Sequence, residues 1–158
     1  MGNLNAIGLD DNKSKMLGQK LNELLANYSI FYQNVRGYHW NIKGHNFFEL
    51  HVKFEELYND LVLKIDELAE RILTLDVSPN HRYSDYKNVS RIIESVQVSD
   101  GIKAVEDILS SFKIIISIQR ELLTLSDEAS DEGTTALLSD YIRAQEKSVW
   151  MYSAFLKG

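Results

Sequence analysis

Three of the chain's four histidines and a dense set of carboxylates lie between Tyr38 and Arg71. Imidazole nitrogen and carboxylate oxygen both bind divalent metals, so this segment is the candidate functional centre. The side chains with suitable chemistry are His39, His51, Glu55, Asp66 and Glu70. The sequence therefore predicts a metal site with mixed nitrogen and oxygen ligands.

Apolar residues recur at steps of three and four after the polar turn that follows Asn41, which predicts one long amphipathic helix. Its apolar positions are Phe47, Leu50, Phe54, Leu57, Leu61, Ile65, Leu68 and Ile72. At about 100° per residue, Glu55 and Asp66 lie about 40° and 60° around the helix axis from His51. Glu70 lies about 100° from the same histidine. All four side chains therefore share one side of the helix.

The heights of these side chains along the helix do not agree. At about 1.5 Å per residue, Asp66 lies about 22 Å along the axis from His51, whereas metal ligands lie about 2 Å from the ion. One chain alone therefore cannot close the site. A two-fold axis near Tyr58 and Asn59 would place the same helix of a second subunit antiparallel alongside, so that His51 of one chain lies level with Asp66 of the other. Such isologous contacts are the commonest way in which identical subunits associate, so the sequence predicts a metal site shared within a dimer.

The length of 158 residues fits one domain with its own hydrophobic core. The absence of cysteine excludes disulfides, thiolate metal sites and cysteine nucleophiles. No secretory signal or apolar run of membrane-spanning length is present, so we expect a cytoplasmic protein with no membrane partner. The net charge of −6 works against general attraction to nucleic acid and favours attraction of cations.

The hydrophobic pattern predicts an all-α four-helix bundle with one crossover at residues 13–158, after a mobile N-terminal tail at residues 1–12. This architecture includes the ferritin-like folds. The four predicted helices cover, approximately, residues 14–40, 47–76, 100–125 and 134–155. The second and third are joined by a long crossover, in which we expect a short helix around Val89 to Val96. The polar stretch from Ser126 to Thr135 is predicted to turn the chain.

The usual di-iron site inside one such bundle needs two Glu-x-x-His pairs. No such pair occurs in this chain, and no histidine follows His81. The chain instead resembles the Dps-like branch of the ferritin superfamily, the miniferritins. The residues that carry the resemblance are Tyr38-His39-Trp40-Asn41, a glycine-containing turn, Phe47-Phe48, His51, Phe54-Glu55 and Asp66-Glu67-Leu68-Ala69-Glu70-Arg71.

The resemblance implies a hollow homo-dodecamer with ferroxidase sites at its two-fold interfaces. In that arrangement the site residues of one subunit, His39, His51 and Glu55, face Asp66 and Glu70 of its neighbour. The implied activity is oxidation of Fe(II), preferably by hydrogen peroxide, with storage of ferric mineral in the cavity and protection against oxidative damage. Iron is thus the expected metal. Members of this family commonly carry aspartate where this chain has Glu55.

Several features have two interpretations. Trp40, beside the predicted site, and Trp150 are either electron donors to trapped oxidising species or packed core residues. The acidic segment with Asp127, Asp131 and Glu132 either lines three-fold pores that attract Fe(II), as the resemblance implies, or is a solvated loop.

Two other functions remain open. One is a nucleoid protein that coats DNA with little iron chemistry, and the other is a metal-free helical scaffold. Lys13, Lys15 and Lys20 could contact nucleic acid, but acidic neighbours also fit a solvated helix start. The C-terminus offers only Lys157, which weakens the DNA interpretation. Asp66 and Glu70 could likewise form only a solvated face, and His45 and His81 are interpreted as loop residues.

Overall fold

The computed structural model describes residues 3–158, which form five α-helices. These are α1 (Asp11–Asn41), α2 (Phe47–Thr74), α3 (Tyr83–Val89), α4 (Gly101–Glu128) and α5 (Glu132–Lys157). The long helices α1, α2, α4 and α5 form the bundle, and the short α3 lies in the crossover between α2 and α4. Within residues 3–158 the only β pairing is two isolated bridges. The all-α fold with a crossover helix is thus confirmed.

The core consists of the apolar stripes that the four long helices turn inward. Phe31 of α1 meets Phe112 of α4 edge to face, with ring centroids 5.2 Å apart. Other residues without measurable exposure include Leu21, Leu24, Phe54, Leu61, Leu68, Ile108, Ile115 and Leu138. None of the helices within residues 3–158 combines the length and the apolarity needed to cross a bilayer.

A closed ring of buried hydrogen bonds joins three helices inside this core. Tyr28 Oη donates to Gln119 Oε1 at 2.5 Å, Gln119 Nε2 donates to Gln145 Oε1 at 2.8 Å, and Gln145 Nε2 donates back to Tyr28 Oη at 2.6 Å. Burial raises the pKa of the Tyr28 phenol far above its ordinary value, so the group stays a neutral donor. Each member therefore has its partners without a charge in the core.

The first helix begins earlier than predicted, inside the segment predicted to be a tail. The side chain of Asp10 accepts a hydrogen bond from Lys13 N at 2.9 Å and so caps α1. Residues 3–10 form a turn in which Asn5 N donates to Leu9 O at 2.8 Å and Asn5 Oδ1 accepts from two further amides. Residues 1 and 2 of the predicted tail lie outside the described residues, and its mobility stays a prediction.

The connection between α4 and α5 is shorter than the predicted turn at residues 126–135. Its polar side chains form hydrogen bonds with residues of α4 and α5, so both helices extend into the predicted turn. Ser126 Oγ donates to Leu123 O and lies 2.7 Å from Thr135 Oγ1. Asp131 caps α5 by accepting from Thr134 N at 2.9 Å. Only residues 129–131 separate the two helices, and Asp127 belongs to the last turn of α4.

The predicted position of the crossover helix, Val89 to Val96, is wrong, because the helix ends at Val89. The backbone that follows is extended and bonds to asparagines of α1 instead of to itself. Asn27 Oδ1 accepts from Arg91 N and Ile92 N, each at 3.0 Å. Asn34 donates to Ile93 O at 3.0 Å and accepts from Ser95 N.

Asn22 makes the same kind of double contact closer to α2. Its Nδ2 donates to Ser78 O at 3.1 Å, and its Oδ1 accepts from Asn80 N at 2.8 Å. The three asparagines of α1 form what we call the asparagine clamp: Asn22, Asn27 and Asn34. An amide side chain can both donate to and accept from a peptide group, so this clamp replaces a neighbouring strand. It holds the crossover along α1 without any sheet.

Replacing Asn27 by alanine should destabilise the fold more than an ordinary surface substitution does. It would leave the Arg91 and Ile92 amides without their acceptor, at about 1–3 kcal/mol for each unsatisfied group. We expect the free energy of unfolding in urea to fall by about 2–4 kcal/mol. Asn12→Ala, at an exposed position of the same helix, is the control. Equal unfolding midpoints for the two variants would contradict the clamp.

Candidate metal centre

The connection between α1 and α2 brings His39 and His51 together. It is tight because Gly44 and Asn46 adopt left-handed conformations, with φ of 84° and 62°. His39 lies in the last turn of α1, and His51 lies in the second turn of α2. The two rings stack with centroids 3.7 Å apart and planes inclined by 10°.

Each imidazole is bonded to the backbone of the other histidine. His39 Nδ1 donates to His51 O at 2.6 Å, and His51 Nδ1 donates to His39 O at 2.7 Å. A carbonyl oxygen can only accept, so the hydrogen of each neutral ring lies on Nδ1. Both Nε2 lone pairs are therefore free to bind a metal, in the arrangement by which backbone carbonyls commonly orient histidine ligands.

Glu55 adds an oxygen donor to the two nitrogens. Its Oε1 lies 3.6 Å from His39 Nε2, and its side chain is 54% exposed. It follows His51 by one helical turn, so a cation between the two could be reached from one side of α2. The three side chains form what we call the half-site: His39, His51 and Glu55.

Aromatic rings that were not among the predicted site residues hold the half-site in place. Tyr58 meets the His39 ring edge to face at 5.4 Å, and Phe47 stacks on the His51 ring at 5.0 Å. His39 is only 6% exposed. The rings cannot rotate freely, so the nitrogens are oriented before a metal arrives. The signal available in the sequence was the spacing of these aromatics, one turn or two from His51 on the same helix.

Asp66 and Glu70 lie farther along α2, on its exposed side. Within residues 3–158 no three histidine, aspartate or glutamate side chains of one chain come close enough to hold a metal ion by themselves, and this includes the three of the half-site. The half-site and these carboxylates are therefore not combined inside a single chain.

Exposed apolar side chains lie on the same side of α2 as Asp66 and Glu70. At about 100° per residue, these apolar residues and the two acids fall within an arc of about 100° around the helix axis, which we call the exposed strip. Its apolar members, between 39% and 78% exposed, are Phe48, Val52, Val62, Leu63 and Leu73. Exposed apolar residues grouped along one face are typical of a surface that contacts another molecule.

A row of polar contacts with α5 fixes the rotation of α2. Tyr141 Oη donates to Glu67 Oε1 at 2.8 Å, and Lys64 Nζ lies 5.1 Å from the centroid of the Tyr141 ring. Burial, and then the neighbouring Glu67 carboxylate, raise the pKa of Tyr141 far above its ordinary value. One turn later, Arg71 Nη2 donates to Asp131 Oδ1 at 2.7 Å. These contacts keep the exposed strip directed away from the bundle.

The remaining predicted residues have different environments. Trp40 and Trp150 are 56% and 66% exposed, so the core-packing interpretation is wrong for both within one chain. The Arg36 guanidinium lies 4.8 Å from the centroid of the Trp40 ring, in a groove of about 650 Å³ beside the crossover. His45 and His81 are exposed, as expected of loop residues.

The three acidic residues of the predicted pore segment also differ from one another. Asp127 and Glu132 are exposed, whereas Asp131 is only 2% exposed. The Asp131 carboxylate is bonded to Arg71 and Thr134, so the solvated-loop interpretation does not apply to it.

Comparisons with known proteins agree with this fold. A family model described as the ferritin-like domain matches residues 18–158. A Porphyromonas gingivalis protein called DNA protection during starvation protein is 38% identical over 152 residues, which cover 96% of both chains. General stress protein 20U of Bacillus subtilis is 34% identical over 90% of this chain and 99% of its own.

The solved structures include a close match. A crystal structure of a Dps protein from Vibrio cholerae O1 superposes with a TM-score of 0.95. It is 55% identical and covers 97% of this chain and 96% of its own. It is described as a member of a broad superfamily of ferritin-like diiron-carboxylate proteins.

The hydrogen bonds of the histidine pair predict one tautomer for both rings. Neutron diffraction from metal-free crystals soaked in heavy water should show deuterium on Nδ1 of His39 and His51. Both Nε2 atoms should be bare. Deuterium on Nε2 of either ring, with a bare Nδ1, would contradict the orientation of the half-site.

Proposed function

Because the chain belongs to the ferritin-like family, and within it to the Dps proteins, we propose that it is a cytoplasmic ferroxidase and iron-storage protein. Its substrate is Fe(II), its preferred oxidant is hydrogen peroxide, and ferric mineral is stored in a hollow homo-dodecamer. The observation that carries this proposal is the half-site, with two oriented imidazole nitrogens beside one carboxylate and no closure within one chain. The resulting function is protection against oxidative damage.

The donor set suits Fe(II) as a substrate. Imidazole nitrogens bind Fe(II) adequately, and carboxylate oxygens stabilise the Fe(III) that forms. Two Fe(II) ions supply the two electrons that one hydrogen peroxide needs, so that two protons and the peroxide become two water molecules. Paired oxidation at one place thus avoids release of hydroxyl radical. The half-site binds and orients the ions, while exposure of Glu55 leaves room for the oxidant.

The other donors come from a second subunit in this proposal. A two-fold axis near Tyr58 and Asn59 brings the exposed strips of two α2 helices together in antiparallel orientation. Asp66 and Glu70 of the partner subunit then face the half-site, and two equivalent sites form in each dimer. The apolar side chains of the strip are buried by the same contact. Burial of this surface supplies the association energy, and the carboxylates supply the chemistry.

The exposed acids Asp127 and Glu132 and the exposed Trp40 have further roles in this proposal. Asp127 and Glu132 attract Fe(II) toward three-fold pores, since clustered negative charge raises the local concentration of cations. Trp40 is a candidate electron donor when an oxidising equivalent is left over. Asp131 belongs to the same segment, but its carboxylate is engaged with Arg71.

The second candidate function is nucleoid DNA binding, which the names of the Dps relatives favour. The charges of this chain do not favour it. Lys15 pairs with Asp11 at 3.0 Å, and Lys13 Nζ donates to Glu128 O at 3.4 Å, so two of the three lysines near the start of α1 have partners in the chain. The net charge of −6 adds general repulsion from phosphate.

A shared site predicts that two inactive variants restore activity together. His51→Ala and Asp66→Ala should each abolish most of the oxidation of Fe(II) by hydrogen peroxide. Refolding them as an equal mixture makes about half of the dimers mixed, and each mixed dimer keeps one intact site, so about a quarter of the wild-type rate should return. Stopped-flow absorbance of the ferric product measures the rate.

The control mixture combines His39→Ala with His51→Ala. Both changes damage the same half-site, so no mixed dimer contains an intact site and no activity should return. Equal recovery in the two mixtures, or full activity of either single variant, would contradict the shared site.

The DNA alternative predicts a retarded band in a gel-shift assay with duplex DNA. We expect no band at moderate salt, because few phosphate contacts are available to this acidic chain. Any band at low salt should fade as salt is added, because binding driven by phosphate contacts weakens with salt. Retardation that persists at moderate salt would support the DNA function instead.

A further inference from the structure

Arg71 joins the end of α2 to the connection between α4 and α5. Its Nη2 donates to Asp131 Oδ1 at 2.7 Å, and its Nε donates to Thr134 Oγ1 at 2.9 Å. The Asp131 side chain is only 1% exposed and that of Arg71 is 21% exposed, so this ion pair is largely removed from water. The same carboxylate caps α5 through Thr134 N.

The guanidinium lies directly against Gly133. A Cβ atom on Gly133 would lie 2.8 Å from Arg71 Nη2 and 2.9 Å from Nη1. A real Cβ atom does not come so close, so any larger residue here displaces the guanidinium. Glycine also lowers helix stability relative to alanine within the first turn of α5. The close approach of Arg71 explains why a glycine lies at this position of α5. We call the group the arginine latch, and its members are Arg71, Asp131, Gly133 and Thr134.

The arginine latch connects two parts of the proposed iron pathway. Arg71 follows Glu70 in the chain, at about 100° around the helix, on the boundary between the exposed strip and the core face. At its other end the latch holds the segment between Asp127 and Glu132. The buried faces of Ile72 and Leu75 hold α2 on the opposite side. The polar side of the same helix end is held by Arg71.

We propose that Arg71 is a positioning residue for iron oxidation, which acts through Asp131 to hold Glu70 and the exposed acids in a fixed relation. The inference rests on the proposed ferroxidase function. The hydrogen bonds of Arg71 go to Asp131 and Thr134, so the latch acts on Glu70 by holding the end of α2 that carries it. Such a contact should change the affinity for the metal more than the chemistry. Direct outer contacts of metal ligands cost about 10- to 100-fold in metal affinity when they are lost, so we expect the lower end of that range here. In this proposal the Asp131 carboxylate holds Arg71 and the start of α5 in place and does not bind iron.

The decisive variant is Gly133→Ala. It keeps every charge and every proposed ligand, favours the helix, and displaces only the guanidinium, which is the flexible end of a side chain. We expect the half-saturating Fe(II) concentration to rise about tenfold, the lower limit for loss of an outer contact, while the maximal rate stays within about twofold. Binding of redox-inert Co(II), followed by its visible absorption, should weaken by the same factor.

The matched control is Gly37→Ala in α1, where an added Cβ meets nothing within 4 Å. It makes the same chemical change and should leave Co(II) binding and the half-saturating Fe(II) concentration at the wild-type values. Thr134→Val offers a second route to the same test, because it removes one acceptor of Arg71 but keeps the buried volume. It should give a smaller shift in the same direction.

Two results would overturn the inference. One is wild-type Co(II) affinity in both Gly133→Ala and Thr134→Val. The other is a loss of Co(II) affinity that is accompanied by equal losses of melting temperature and of maximal rate, which would indicate a general structural role. Failure of the proposed function is distinguishable, since in that case the wild type itself would neither bind Co(II) at the site nor oxidise Fe(II).

Discussion

The reciprocal bonds between His39 and His51 are the constraint on which the candidate site depends. Each backbone carbonyl fixes the ring of the other histidine, so the end of α1 and the second turn of α2 cannot move independently. The axis of α2 then sets where every later donor of this helix lies. Because α2 is one continuous helix, Asp66 and Glu70 cannot fold back to the histidines. Completion of the site and association of two chains are thus one event in the proposed function.

Buried polar side chains, more than apolar packing, give this bundle its particular arrangement. Apolar faces tolerate sliding and rotation, whereas hydrogen bonds require one geometry. The asparagine clamp places the crossover on α1, and the contacts of Tyr141 and Arg71 set the rotation of α2 against α5. Each of these contacts joins residues far apart in the chain. Together they decide which side of α2 faces outward.

The sequence predicted the bundle well because its signals are local. The periodicity between Phe47 and Ile72 lies within the helix that it defines. The clamp at Asn27 depends on the amide of Arg91, which is 64 residues away in the chain. The burial of Asp131 depends on Arg71, which is 60 residues away. No local pattern shows such pairing. The pairing of His51 with Asp66 of a second chain stays a prediction, because a single chain does not contain it.

The ring formed by Tyr28, Gln119 and Gln145 has an evolutionary consequence. Each side chain in the ring donates one hydrogen bond and accepts another, so the three positions satisfy one another as a closed set. Replacing one member by an apolar residue leaves the other two incomplete in a dry core. Conversion of the ring to apolar packing therefore requires three substitutions. Each intermediate with one or two substitutions is less stable than both the complete ring and the fully apolar core. We expect lineages to keep the trio or to lose it as a unit.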